Sequence, residues 1–144
     1  MAKRKIEFVE NEYYHVFNRG VDKRIIFKDK GDLNYFFNRL SDLNSNLSSE
    51  RNKQNANHRY RKLKTEIRVS DQPLVSIISY CLLPNHFHLV LKQEAENGIS
   101  KFMQKLGTSY TMYFNEKYKR TGSLFAGKFK AKHISSDKSK RKFS

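Results

Sequence analysis

From Leu74 to Leu83 the chain is nearly continuous in Val, Ile, Leu, Tyr and Cys; Pro84-Asn85 then interrupts it, and His86-Phe87-His88-Leu89-Val90-Leu91-Lys92 alternates. A Pro-Asn pair between two such runs supplies the chemistry of a tight reversal, so the spacing predicts two paired strands. Side chains alternate along a strand, which sends Phe87, Leu89 and Leu91 to one side and His86, His88 and Val90 to the other. The oily side has to be covered by another layer. Whatever this chain folds into, a sheet with a buried back and two histidines on its front is part of it.

The covering layer is legible elsewhere. Leu33, Phe36, Phe37, Leu40, Leu43 and Leu47 recur at helical spacing, with Asp29 and Asp32 as candidate caps. A second helix fits Ile99, Phe102, Met103, Leu106, Tyr110, Tyr113 and Phe114, with Asn97-Gly98 as its start signal and Gly122 as its stop. Tyr13 to Arg19 reads as a first strand ending at Gly20, its core face left ambiguous by alternation, and Phe129 to Ile134 as a last one. The order strand, helix, strand, strand, helix, strand predicts an α+β, ferredoxin-like antiparallel sheet (βαββαβ), with both helices on one face and the other free for ligand. Tryptophan is absent and Phe occurs 11 times, so the core is expected to rest on phenylalanine. Cys81, the single cysteine, lies in the apolar run and is read as a core residue.

A length of 144 residues predicts one domain. It is placed at 1–134, with a basic insertion at about 48–72 that holds almost no large apolar side chain, and a basic disordered tail at 135–144. Lys and Arg number 29 against 14 acidic residues, giving a formal net charge of +15. Such an excess calls for a polyanion, and nucleic acid supplies affinity through counterion release. The basic residues are spread along the chain rather than set opposite a bare apolar helix face, which argues against a membrane surface. No stretch approaches the ~20 apolar residues of a membrane span, and the start Met-Ala-Lys-Arg-Lys lacks a signal-peptide core. A cytoplasmic DNA-binding protein is the expectation.

His86 and His88, two residues apart on the open face, can converge on one cation through their ring nitrogens. With 5 histidines in 144 residues, a His-x-His pair arises by chance in roughly one such sequence in six, so the pair gains its weight from the turn before it and the apolar back face behind it. His15 shares a strand with Asn18 and Arg19 and is a candidate to approach the metal or a phosphate. His58 and His133 read as surface histidines. Arg19, Lys23 and Arg24 after the first strand, and Arg120, Lys128 and Lys130 after the second helix, are the candidate DNA contacts, since phosphate binding needs several cations on one side. Tyr110 and Tyr113 fall at core spacing; Tyr118, between Lys117 and Lys119, reads as an exposed aromatic able to stack on a base.

Three blocks carry a resemblance: Tyr-Tyr-His-Val-Phe-Asn-Arg-Gly at 13–20, Ser-Tyr-Cys-Leu-Leu-Pro-Asn-His-Phe-His-Leu-Val at 79–90, and Tyr-Phe-Asn-Glu-Lys-Tyr-Lys-Arg-Thr-Gly-Ser-Leu-Phe at 113–125. In this order they resemble the REP-associated and IS-two-hundred-like transposases, single-tyrosine members of the HUH class, from about Phe8 to Ile134. The resemblance implies a domain that recognises a DNA hairpin and cuts single strands beside it. It also implies a divalent cation, Mg²⁺ or Mn²⁺, held by His86 and His88, and a tyrosine nucleophile that becomes joined to the 5′ phosphate. Assembly as a homodimer stays open.

The chain departs from that pattern at its end. The family's nucleophilic tyrosine and third metal ligand lie in a stretch resembling Tyr-Ile-x-x-Asn-Pro-Val-Arg, and here Phe-Lys-Ala-Lys-His-Ile at 129–134 gives way to Ser-Ser-Asp-Lys-Ser-Lys-Arg-Lys-Phe-Ser. The expectation is a C-terminally truncated copy, with two readings: a transposase that cleaves and rejoins DNA, or a DNA-binding remnant or regulator without cleavage. An RNA-binding sheet shares the architecture and charge but needs a Lys/Arg-Gly-Phe/Tyr-Gly/Ala-Phe type of block that the chain lacks.

Overall fold

The computed structural model describes residues 6–45 and 72–135. The predicted insertion, apart from Gln72, and nearly all of the predicted tail lie outside the described residues, as does Leu47.

Strand β1 (Tyr13–Arg19) is followed by a short 3-10 turn (Val21–Lys23), helix α1 (Lys30–Asp42), β2 (Val75–Leu83), β3 (His86–Gln93), helix α2 (Gly98–Tyr118) and β4 (Lys130–Ile134). The sheet order is β2-β3-β1-β4 with every pair antiparallel, so the described residues form an α+β fold with two helices over a four-stranded sheet. The predicted order of elements holds throughout.

In β1 the ambiguity resolves in favour of Tyr14 and Val16, which are buried with Phe87, Leu89 and Leu91 of β3 beneath the helices. Phe36 and Leu40 of α1 and Ile99, Phe102, Leu106, Tyr110 and Phe114 of α2 complete a core rich in phenylalanine. Burying so many large side chains, each contributing ~1.5–3 kcal/mol, is what fixes the helices to one face of the sheet.

Asp29 caps α1, its side chain accepting from the Asp32 backbone N–H at 2.9 Å. Asp32 takes a different part. Its buried carboxylate accepts from Tyr113 Oη at 2.8 Å, Tyr118 Oη at 2.7 Å, Lys117 Nζ at 2.9 Å and the Lys28 backbone N–H at 2.9 Å, and so ties α1 to the last turns of α2. Tyr118, expected to be a free aromatic, is spent in this cluster. α1 ends at Asp42 with Leu43 as its C-cap, short of the predicted run. α2 ends at Tyr118, before the Gly122 stop signal, because Lys119 takes the left-handed cap conformation (φ 55°) itself. At its start, Gly98 packs against Leu74, whose carbonyl oxygen would stand 2.1 Å from an added Cβ.

Cys81 is not a core residue. The β2–β3 register shifts between Ile77 and Ser79, so Ile77 faces Leu91 whereas Cys81 faces His88. This bulge inverts the alternation of β2 and delivers Tyr80 and Leu82 to the helix side and Cys81, exposed, to the open face.

Candidate metal and nucleic-acid site on the open face

The two-residue turn Pro84-Asn85 is fastened from both sides. Pro84 O accepts from the Ile26 and Phe27 N–H groups at 2.8 and 3.1 Å, and Asn85 O from the Gly20 N–H at 2.9 Å. The start of β3 is therefore held against the segment that follows β1. His86 and His88 leave this anchored strand half-buried on the open face, with ring centroids 5.1 Å apart and planes near perpendicular.

Both rings are held at Nδ1. Asn85 Oδ1 lies 2.7 Å from His86 Nδ1, and His15 Nε2 lies 2.8 Å from His88 Nδ1. Among the described residues neither Nε2 has a hydrogen-bond partner. Burial, followed by the charges of His88 and Lys132, lowers the pKa of His15; burial, followed by His86, lowers that of His88. Both shifts favour the neutral ring of His15 and His88, the form in which an imidazole nitrogen donates a lone pair.

Two imidazoles on one face, each with Nε2 free of a hydrogen-bond partner among the described residues, are donors of the kind that suits a divalent cation. Among the described residues no group of three or more His, Cys, Asp or Glu side chains is gathered to hold one, so the pair could offer it at most two of these ligands there.

Around them the sheet is aromatic and basic. Phe17 pairs with His88 across the ladder, its ring 5.5 Å from the His88 ring and 4.9 Å from that of His15. Arg19 pairs with His86, Lys130 with Phe17, and Lys132 with His15, all on the open face. Lys132 escaped sequence reading, although the Lys-Ala-Lys alternation at 130–132 placed it on the same side as Lys130. Lys23 lies at the β2–β3 turn, where its carbonyl accepts a weak bond from Asn85 Nδ2 at 3.4 Å, and exposed Arg24 follows it.

The other predicted contacts lie off this face. Lys128 borders a groove of about 840 Å³ between α2 and residues 123–129, lined among others by Met103, Thr111, Phe125 and Phe129. Arg120 belongs to the helix layer, where its guanidinium donates to Asn115 Oδ1 at 2.6 Å and Ser123 O at 3.0 Å. His133 is a surface histidine, 2.8 Å from Glu12 Oε1.

The tyrosines of α2 are engaged. Tyr110 Oη donates to the buried carbonyl of Ile26, and burial followed by the Asp32 charge raises its pKa far above the usual phenol value. Burial, followed by the bond to Asp32, pushes Tyr113 up to about 12. Neither is available as a phenolate.

Known proteins share the fold. The chain superimposes on the structure of the REP-associated tyrosine transposase bound to a REP hairpin with a TM-score of 0.61 at 10% identity, over 99% of this chain and 68% of that one. It superimposes on a crystal structure described as a transposase from Deinococcus radiodurans R1 with a TM-score of 0.50 at 13% identity, over 99% and 93% of the two chains. At such identities the likeness is one of fold. A search of curated proteins returns no match. No helix among the described residues is long and apolar enough to cross a membrane. The model of the family "Transposase IS200 like" matches residues 47–142, well over half of the sequence and including the whole of the histidine strand, and the chain therefore belongs to the IS200-like transposases.

Proposed function

We propose that this transposase-family chain binds hairpin or single-stranded DNA across the open face of its sheet and holds a scissile phosphate beside His86 and His88. The observation that carries this reading is the pair of imidazoles, each tied at Nδ1 and without a partner at Nε2 among the described residues, on a face that also bears Arg19, Lys130 and Lys132. His86 and His88 would hold Mg²⁺ or Mn²⁺, which would supply Lewis-acid stabilisation of charge developing on the phosphate. The remaining work belongs to the chain itself. Arg19, Lys130 and Lys132 attract and orient the backbone, Lys23 and Arg24 extend that attraction past the turn, and Phe17 offers a flat ring for a base. The REP-hairpin ligand of the structural neighbour supports DNA of that kind as the partner.

A second reading, DNA binding without cleavage, is favoured by the engagement of Tyr110, Tyr113 and Tyr118 in structural hydrogen bonds and by the two-ligand metal site among the described residues. One experiment separates the two. The full chain is incubated with a labelled hairpin-flanked single strand and Mn²⁺, then denatured. A denaturant-resistant protein–DNA adduct that disappears in the His86→Ala/His88→Ala variant establishes the enzyme; binding without an adduct establishes the second reading. Cleavage that survives the double substitution would remove both histidines from the site.

A further inference from the structure

His15 and His88 are diagonal neighbours on β1 and β3, since Phe17 pairs with His88 and His15 with Val90. Diagonal positions on one face are within reach of long side chains, and here the two rings meet through ring nitrogens 2.8 Å apart. Their planes differ by only 20° and their centroids lie 5.0 Å apart, an approach that directs an N–H of one ring at the lone pair of the other. A neutral imidazole has one donor and one acceptor nitrogen, so this contact has two possible senses. If His15 donates, His88 Nδ1 is the acceptor and the His88 proton sits on Nε2, where it blocks ligation. If His88 donates from Nδ1, its Nε2 is bare.

The neighbouring ring shows which sense the site uses. Asn85 Oδ1 can only accept, so His86 donates from Nδ1, and in its neutral tautomer of that kind Nε2 is the bare nitrogen. We infer that His15 does for His88 what Asn85 does for His86: its Nε2 accepts the His88 Nδ1 proton, fixing the tautomer and orientation of His88 so that Nε2 is presented to a divalent cation. His15 is thus a positioning residue that acts through His88, not a ligand, because the nitrogen it would offer is occupied by the bond to His88. The inference rests on the proposed metal role of His86 and His88, and groups of this kind behind a ligating histidine raise metal affinity by about 10–100-fold.

The test uses the full chain with isotopically labelled histidine. In metal-free protein, nitrogen–carbon correlation spectra at pH 7.5 report which nitrogen of His88 carries the proton. The expected wild-type state is Nδ1–H. His15→Phe, which keeps a ring of similar size beside Phe17, should move His88 toward Nε2–H, and His15→Gln, whose amide oxygen can accept, should restore Nδ1–H. Mn²⁺ titration should then show affinity about 10–100-fold weaker in His15→Phe and within a few-fold of wild type in His15→Gln. A wild-type His88 protonated at Nε2, or a His15→Phe variant with unchanged tautomer and Mn²⁺ affinity, overturns the inference. Mn²⁺ broadening that does not centre on His86 and His88 instead sinks the metal reading of the site, while the tautomer measurement still decides the part played by His15.

Discussion

Cys81 and His88 face each other across β2 and β3, which places the chain's single thiol, exposed, on the same side of the sheet as the paired imidazoles. A bulky maleimide attached to Cys81 should therefore reduce single-stranded DNA binding at least severalfold while leaving the circular dichroism spectrum unchanged. Bound hairpin DNA should in turn slow the labelling. Equal labelling rates with and without DNA would place the nucleic acid on another surface.

Electrostatic attachment predicts a steep ionic-strength dependence. If about six phosphates are neutralised, affinity should fall by orders of magnitude between 50 and 200 mM salt. Lys130→Ala and Lys132→Ala should each weaken binding to all sequences alike and lower the magnitude of the log–log salt slope by about one. Fluorescence anisotropy over a salt series measures both. An unchanged slope in the double variant would take β4 out of the interface.

The Asp32 cluster predicts acid sensitivity. Burial alone would raise this carboxyl's pKa, but the bonds from Lys117, Tyr118, Lys28 and Tyr113 together outweigh it and hold the group at about 2. Its folded pKa thus lies below the unfolded value of about 3.9, so its contribution is complete above about pH 4 and is lost as pH falls toward 2. Asp32→Asn should cost about 2–3 kcal/mol near neutrality, because the amide cannot accept from four donors at once. Urea denaturation from pH 2 to 7 should show wild type and variant converging at the acid end; parallel curves would refute this account.

Tyr110→Phe should lower stability by about 1–2 kcal/mol by leaving the buried Ile26 carbonyl unpaired. Any DNA adduct formed by wild type should persist in Tyr110→Phe and in Tyr113→Phe, since both hydroxyls are engaged away from the open face. Loss of the adduct in a variant that remains folded would identify that tyrosine as the nucleophile.

The sheet, both helices and the outward direction of His86 and His88 were legible because each rests on a periodic apolar pattern. Phe87, Leu89 and Leu91 could only face inward, and the histidines between them only outward. Cys81 was misjudged for the complementary reason: a continuous apolar run carries no phase, and the bulge near Ile78, with that residue half-exposed, is set by pairing with β3 rather than by local sequence. Asp32 looked like a second cap because its partners arrive from a helix more than 80 residues away. His15 could be placed on a strand but not against His88, since that meeting depends on register between strands distant in the chain. Lys119 shows a similar limit, as a lysine in a left-handed cap leaves no compositional sign.

The two innermost strands of the sheet, β1 and β3, bring together imidazoles that stand 73 positions apart in the chain. A peptide cut from β3 keeps His86 and His88 but loses His15 behind them, so a cation held by the oriented pair should bind the native state more tightly than the unfolded chain. Free cation at about 100 times its dissociation constant would then add at most about 2.7 kcal/mol to unfolding, less whatever the unfolded His-x-His pair binds, giving a melting temperature that climbs with Mn²⁺ and drops back on chelation. Calorimetry could therefore read occupancy of the histidine strand with no DNA present.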